Sequence, residues 1–347
     1  GFIEVFSDKP MRDIVVESKN LGGAHLGDIV VAHLLSNKKS RQSAKILAVL
    51  EPANETSLVY LKRFGGAVLG VNIQNGLSLA LKASQKSLKA LPLGTLLKIN
   101  NANNEITEVL GLITDPNIDE KISLAIYNKK DEFPPACQDE ARAWGDAVDP
   151  SMYKERVDLQ HLPFCTIDPD DAKDFDDAIY YDTKGNELYV AIADVSEYVS
   201  AFSATDKEAK NRCFSIYFPH KSVPMLPRTL SENICSLRPD EPRLAFTFKI
   251  SLNDDLSVKK EELFSAIIKS KKRFTYNEVD KILENKSGCE QGILDWLLPL
   301  HKITQRLKQI RLKKGFDFRS KELKMSLNDD GLIASTHFES ETPSHAL

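Results

Sequence analysis

A multidomain α+β chain, two small OB-type β-barrel units followed by a mixed α/β domain, is what the 347-residue sequence predicts. Three observations point there. The length exceeds one ordinary domain, since about 100–200 residues is the usual span. Residues up to about 113 consist of short strand-like runs broken by turn residues. After the Phe133-Pro134-Pro135 segment, helical and strand-like patterns alternate instead.

The first unit, 1–53, reads as GFIEVFS, DIVVES, GDIVVAHLL and SAKILAVLE, with Gly22-Gly23 and Gly27-Asp28 as turns. The second, 54–134, repeats the order with TSLVYLKRF, GAVLGVNI, LSLALKA, GTLLKIN and ITEVLGLI. Ala24–Gly27 before one hydrophobic strand parallels Leu91–Gly94 before the other, as duplication of a small barrel would require. In the third unit, 135–347, CQDEARAW reads as a short helix and ELYVAIA as a buried strand. Thr205–Phe214 reads as a polar-faced helix, and Leu244–Leu252 with Glu262–Ile268 as paired strands. Thr275 and Glu278 have capping-box spacing, which starts a helix running to Asn285. The longest helix spans Gln291–Lys314. Leu294, Leu297, Leu298, Ile303, Leu307 and Ile310 form its apolar stripe, expected to be core, with Gly315 as its stop.

Composition bounds the function. With 42% hydrophobic and 28% charged residues, the chain can bury real cores, and no apolar run reaches membrane-spanning length. Five scattered cysteines without a CxxC pair predict reduced thiols in a cytoplasm rather than a disulfide framework or a zinc site. A net charge of −4 does not advertise a nucleic-acid binder. The local distribution says more. Cations gather at Lys269–Arg273 and along Lys302–Lys314, while aspartates concentrate between Asp168 and Asp182. Helix faces exposed to water beside an acidic loop would look the same.

The informative segment is HLPFCTIDPDDAKDFDDAIYYD, residues 161–182. Asp168, Asp174, Asp176 and Asp177 fall between an apolar lead-in and an apolar exit, where unscreened carboxylates would repel one another and resist burial. Bound divalent cations would relieve that cost, and an all-oxygen set favours Mg²⁺ or Mn²⁺ over zinc. An EF-hand is excluded, because the fifth and sixth positions from Asp168 are Ala172 and Lys173. A plain acidic turn stays open, although solvated loops are seldom bracketed by strand-like runs on both sides.

LPFCTIDPDDAKDFDDAIYY resembles the pattern LPxxTIDxxDARDFDDAxx of the ribonuclease II/ribonuclease R catalytic domain, known as the RNB domain. LYVAIADVSEYV, then SIYFPHKSVPMLPRTLSENICSLRPDEPRLAFTF, then SKKRFTYNEV agree in order over most of residues 160–280. The two leading units look like the tandem cold-shock domains of that family, the first without its opening strand. The resemblance implies a Mg²⁺-dependent, processive 3′→5′ exoribonuclease acting on single-stranded RNA and releasing nucleoside 5′-monophosphates. It implies Asp168, Asp174 and Asp177 as metal ligands, Asp176 as the most sensitive carboxylate, and Tyr217 as a stacking partner for the terminal nucleotide.

The resemblance leaves Asp194 equally open as a site residue or a turn cap. Arg238 and Arg243 are expected to brace the loop rather than hold phosphate, and His220 to be a surface histidine. An RNA helicase or other RNA-degradation assembly is a further partner class for a monomeric, non-membrane protein. The family also carries a downstream arginine-rich segment, a further acidic residue and a terminal OB-type domain, none of which falls within these 347 residues. The domain is therefore expected to be incomplete, and the segment alone to hydrolyse poorly. The barrels are aromatic-poor, which predicts weak base stacking there. Two alternatives remain: a non-catalytic RNA-binding or scaffold protein, and a metal-dependent phosphodiesterase acting on small nucleotides.

Overall fold

Short strands punctuated by glycine turns build the N-terminal unit, Gly1–Lys130, and one long mixed sheet builds the second, Asp131–Leu347. The computed structural model describes residues 1–5, 12–24, 27–35, 42–127, 129–316 and 321–347. The end of the GFIEVFS run and the middle of the Ala24–Gly27 turn lie outside the described residues.

In the N-terminal unit, β1 (Phe2–Ile3), β2 (Ile14–Val15), β3 (Ile29–Leu35) and β4 (Ser43–Glu51) form one sheet in the order β1-β2-β4-β3. Ile14, Val16, Ala44 and Ile46 close its small core. A second sheet follows from β5 (Thr56–Phe64), β6 (Ala67–Asn72), β7 (Ser78–Leu79), β8 (Thr95–Asn100) and β9 (Ile106–Leu112), ordered β7-β6-β5-β8-β9. Its core holds Val59, Leu61, Val68, Leu88, Leu97 and Ile99. The parallel between the two units extends to backbone conformation. Gly27 and Gly94, each just ahead of a hydrophobic strand, have φ of +89° and +84°, a region that L side chains avoid.

The LSLALKA run departs from its expected strand. Pairing stops after Leu79, because Leu81 turns into the core and Ser84 caps helix α1 (Gln85–Ala90), its side chain accepting from the Ser87 N–H. Helix α2 (Asp119–Ile126) completes the unit.

The second unit opens with α3 (Pro135–Ala143) and then lays down β10 (Val157–Asp158), β11 (Cys165–Asp168), β12 (Asp177–Asp182) and β13 (Glu187–Ala193). After α4 (Val195–Tyr198) and α5 (Ala204–Arg212) comes a small hairpin, β14 (Ile216–Tyr217) with β15 (Ser222–Val223). Three more strands, β16 (Pro242–Leu252), β17 (Val258–Lys269) and β18 (Lys272–Thr275), complete a seven-stranded sheet ordered β10-β17-β16-β13-β12-β11-β18. Helix α6 (Tyr276–Asn285) starts at the expected capping box, with the Thr275 and Glu278 side chains each bonding the other's backbone N–H. Helix α7 (Gln291–Leu312) follows, then an exposed hairpin of β19 (Glu322–Leu327) and β20 (Ile333–Glu339).

Two cores flank the strands that carry the aspartates. On one side Cys165, Ile179, Tyr181 and Phe274 meet Val279 and Ile282 of α6 and Ile293, Trp296, Leu297 and Leu300 of α7. On the other, small residues (Ala178, Ala191, Ala245 and Ala266) let Phe164 and Leu237 pack tightly. The α7 stripe is core only in its first half. Leu294 and Leu297 are buried and Leu298 and Ile303 pack beside them, whereas Ile310 is 43% exposed. The helix outruns the sheet that it covers, so its last turns meet water.

Candidate active site

Strand pairing brings Asp168 and Asp177 to the ends of neighbouring strands. Strand β11 ends at Asp168, and β12 begins at Asp177. The two strands run antiparallel with Cys165 opposite Ile179. The loop between them is pinned from outside. The Ser236 hydroxyl accepts from the Phe175 N–H at 3.0 Å and donates to the Lys173 carbonyl at 2.8 Å. The Leu237 N–H donates to the Phe175 carbonyl, and the Ala193 N–H to the Asp176 carbonyl, both at 2.8 Å. The Arg273 guanidinium donates to the Pro169 carbonyl and lies 5.5 Å from the centre of the Phe175 ring. Backbone groups of an acidic loop are thus satisfied by neighbouring segments, which leaves its carboxylates out of the bonds that pin it.

Asp168 is buried, at 6% exposure, and its one hydrogen-bond partner among the described residues is the Thr166 hydroxyl, which donates at 2.6 Å. Burial pushes this carboxyl up to about 6. The Thr166 bond and Arg273 pull against that rise, and the charges of Asp177 and Asp176 add to it. Asp177 keeps a solvent-facing edge, yet the protein packed around it, and then Asp176, also hold its carboxyl above the usual range. Asp174 is half-buried and Asp176 exposed. Among the described residues, no three acidic, histidine or cysteine side chains converge as a ready-made cation cage. Asp168, Asp176 and Asp177 instead share one electrostatic neighbourhood. Hard oxygen donors and a buried carboxyl that resists ionisation more than usual suit a divalent cation, whose charge would lower Asp168 and offset the repulsion.

Tyr217, on β14, is 70% exposed. Its phenol is pushed up by surrounding protein and then by the charges of Asp174 and Asp176, so the ring stands at the rim of the same acidic neighbourhood. Asp194 belongs elsewhere. It is buried against Arg156 at 2.6 Å, accepts from the Ser196 hydroxyl at 2.6 Å, and makes no side-chain cap bond to its helix. Arg243 braces the loop, as expected. Fully buried, it donates to the Ser236 and Pro242 carbonyls and pairs with Glu241. Arg238 donates to the Asn233 side chain and lies 3.8 Å from Glu241, and His220 is on the surface.

Sequence reasoning missed four contributors. Thr166, Ser236 and Arg273 hold the acidic loop or its buried carboxyl. Tyr276 reaches the pocket because β11 and β18 pair in parallel with Asp168 beside Thr275, which places the first residue of α6 next to the aspartates. Its phenol is pushed up by burial, then by Asp168, Asp177 and Asp176. All four sit inside motif strings already singled out, and Arg273 also closes the KSKKR run, read only as charge.

Clustered aspartates between two strands of a mixed sheet, behind two small β units, define the class: an RNB domain preceded by OB modules. The RNB domain family matches residues 156–347, the ribonuclease R second OB domain residues 58–124, and the ribonuclease R first OB domain residues 1–45. The chain belongs to the RNB family. It is 37% identical to ribonuclease R of Helicobacter pylori (strain ATCC 700392 / 26695) over all of its length and 53% of that protein. Mycoplasma genitalium RNase R in complex with ribose methylated single-stranded RNA superposes with a TM-score of 0.86 at 28% identity, covering all of this chain and 57% of that one. The yeast pseudonuclease Ssd1 shares the fold at a TM-score of 0.65 and 14% identity, covering 87% of this chain and 45% of that one. The chain spans about half the length of the curated relatives that it matches.

The raised Asp168 carboxyl makes a signed prediction. Its folded value of about 6 exceeds the ordinary carboxylate value of 3.8, so the folded state holds this proton more tightly than the unfolded state. Without divalent ions, its contribution to stability falls as pH rises from about 4 to about 6, by at most about 3 kcal/mol. Urea unfolding in chelator should show Asp168→Asn more stable than the parent at pH 7.5, with the gap closing below pH 4. A gap independent of pH would contradict the assignment.

Proposed function

We propose that this chain forms the metal-binding half of a Mg²⁺-dependent, processive 3′→5′ exoribonuclease, active on single-stranded RNA and releasing nucleoside 5′-monophosphates in the cytoplasm. One observation carries the reading. Asp168, Asp176 and Asp177 share one electrostatic neighbourhood at the ends of β11 and β12, with an exposed tyrosine near Asp174 and Asp176. Residues 1–53 and 54–134 are the two OB modules in this reading, and 135–347 the N-terminal part of the catalytic domain. A larger RNA-degradation assembly, such as one with an RNA helicase, would receive it as a monomer.

Asp168, Asp174 and Asp177 are the residues that would hold the cation, Mn²⁺ serving in place of Mg²⁺. Such an ion supplies charge stabilisation for the phosphate oxygens and a lowered pKa for the attacking water. The protein's own residues do the remaining work. Asp176, which is exposed, would orient the attacking water. Arg273, anchored to the loop, favours the charged form of Asp168 against part of the cost of its burial. Tyr217 offers a flat face to the last base, a contact blind to base identity.

The lack of a closed carboxylate cage among the described residues favours a second reading, a non-catalytic RNA-binding or scaffold protein. The complete aspartate set weighs against it. In the full-length protein, Asp176→Asn should cut Mg²⁺-dependent mononucleotide release by at least about a hundredfold, with RNA affinity retained in filter binding. Unchanged turnover would remove Asp176 from the chemistry, and absent release by the unaltered protein would favour the scaffold. Tyr217→Ala should change the length of the final undegraded oligonucleotide on a sequencing gel more than it changes overall affinity. An unchanged end product would exclude the stacking role.

A further inference from the structure

Tyr276, which the β11–β18 pairing sets beside the aspartates, is also touched by a residue from a distant part of the chain. The His345 imidazole lies flat on its ring, with centroids 4.2 Å apart and planes within 4°. Tyr276 is the first residue of α6 and only half-buried, so the capping box fixes its backbone while one face of its ring would otherwise open to water.

The imidazole is itself held. Its Nδ1 accepts from the Thr342 N–H at 3.1 Å and sits 2.8 Å from the Thr342 hydroxyl, which leaves the ring hydrogen of the neutral form on Nε2. The turn Pro343–Ala346 that carries it is docked rather than loose. The Ser344 N–H donates to the Asp280 carboxylate on α6 at 2.9 Å, Ser344 is buried, and Leu347 packs against the core shared by α6 and α7. Lys308 of α7 adds an ion pair to Glu341 at 3.4 Å.

We infer that His345 is a positioning residue, whose stacked ring holds the Tyr276 phenol at the aspartate pocket. This inference rests on the nuclease reading above. Rotation of an unsupported Tyr276 would carry its hydroxyl away from Asp168 and Asp177. Misplacements of about 1 Å in such groups slow turnover far more than they weaken binding. A flat ring, and not the histidine's acid–base chemistry, is what the geometry requires at position 345.

The test uses the full-length protein with a single-stranded RNA and Mg²⁺. His345→Ala should lower kcat about ten- to a hundredfold with little change in KM, while His345→Phe, which keeps a flat ring, should restore most of it. With ¹³C-labelled tyrosine and Tyr276→Phe to assign the signal, the Tyr276 ring resonance should lose its stacking shift in His345→Ala and keep it in His345→Phe. Wild-type kcat in His345→Ala, or a defect in His345→Phe as deep as that in His345→Ala, would overturn the positioning role. Absence of mononucleotide release from the unaltered protein would instead overturn the nuclease reading, which a defect confined to the variants cannot do.

Discussion

Like charges forced together at the ends of buried strands are the constraint around which the second unit is arranged. Asp168 is removed from water with one hydroxyl for company, and Asp176 and Asp177 add repulsion from across the strand pair. A protein selected only for stability would place apolar or neutral residues there. Keeping carboxylates at that point means accepting a standing energetic cost that a bound cation would relieve, and such costs concentrate at functional sites.

The scaffold shows how that arrangement survives. Two independent cores grip the β11–β12 pair, one supplied by α6 and α7, the other by alanines that let the sheet pack closely. The connecting loop is tied down through Ser236, Leu237, Ala193 and Arg273, which use backbone groups of the loop and leave the carboxylates untouched. Arg243, wholly buried, fixes the segment that presents Ser236. The buried Arg156–Asp194 pair follows the opposite logic: a charge there is neutralised within the protein and needs no ligand. Proximity in sequence to the motif therefore does not make Asp194 part of the site.

Much of this was legible in the sequence because local rules and global fold agree. The Thr275–Glu278 box, the apolar run of β13, the β16–β17 pair and the duplicated glycine turns all follow from side-chain chemistry within a few residues. That Asp168, Asp176 and Asp177 lie near one another was legible for the same reason, the stretch being dense and bracketed by strand-like runs. What stayed hidden depends on contacts between distant segments. Tyr276 joins the pocket through a parallel pairing between β11 and β18, which are separated by more than a hundred residues of chain. Ser236 looks like any serine until its hydroxyl is seen bridging two loop groups. The end of LSLALKA and the exposed tail of α7 differ from expectation because tertiary packing decides where a hydrophobic pattern stops being useful.

Direct titration of a divalent cation tests the central claim most simply. Calorimetry with Mg²⁺ near pH 6, run in buffers of different ionisation enthalpy, should show binding accompanied by proton release, because the ion must displace the proton that Asp168 holds up to about pH 6. That release should shrink at pH 8 and vanish in Asp168→Asn. Binding with no proton released at pH 6, or no saturable heat at millimolar Mg²⁺, would contradict the account.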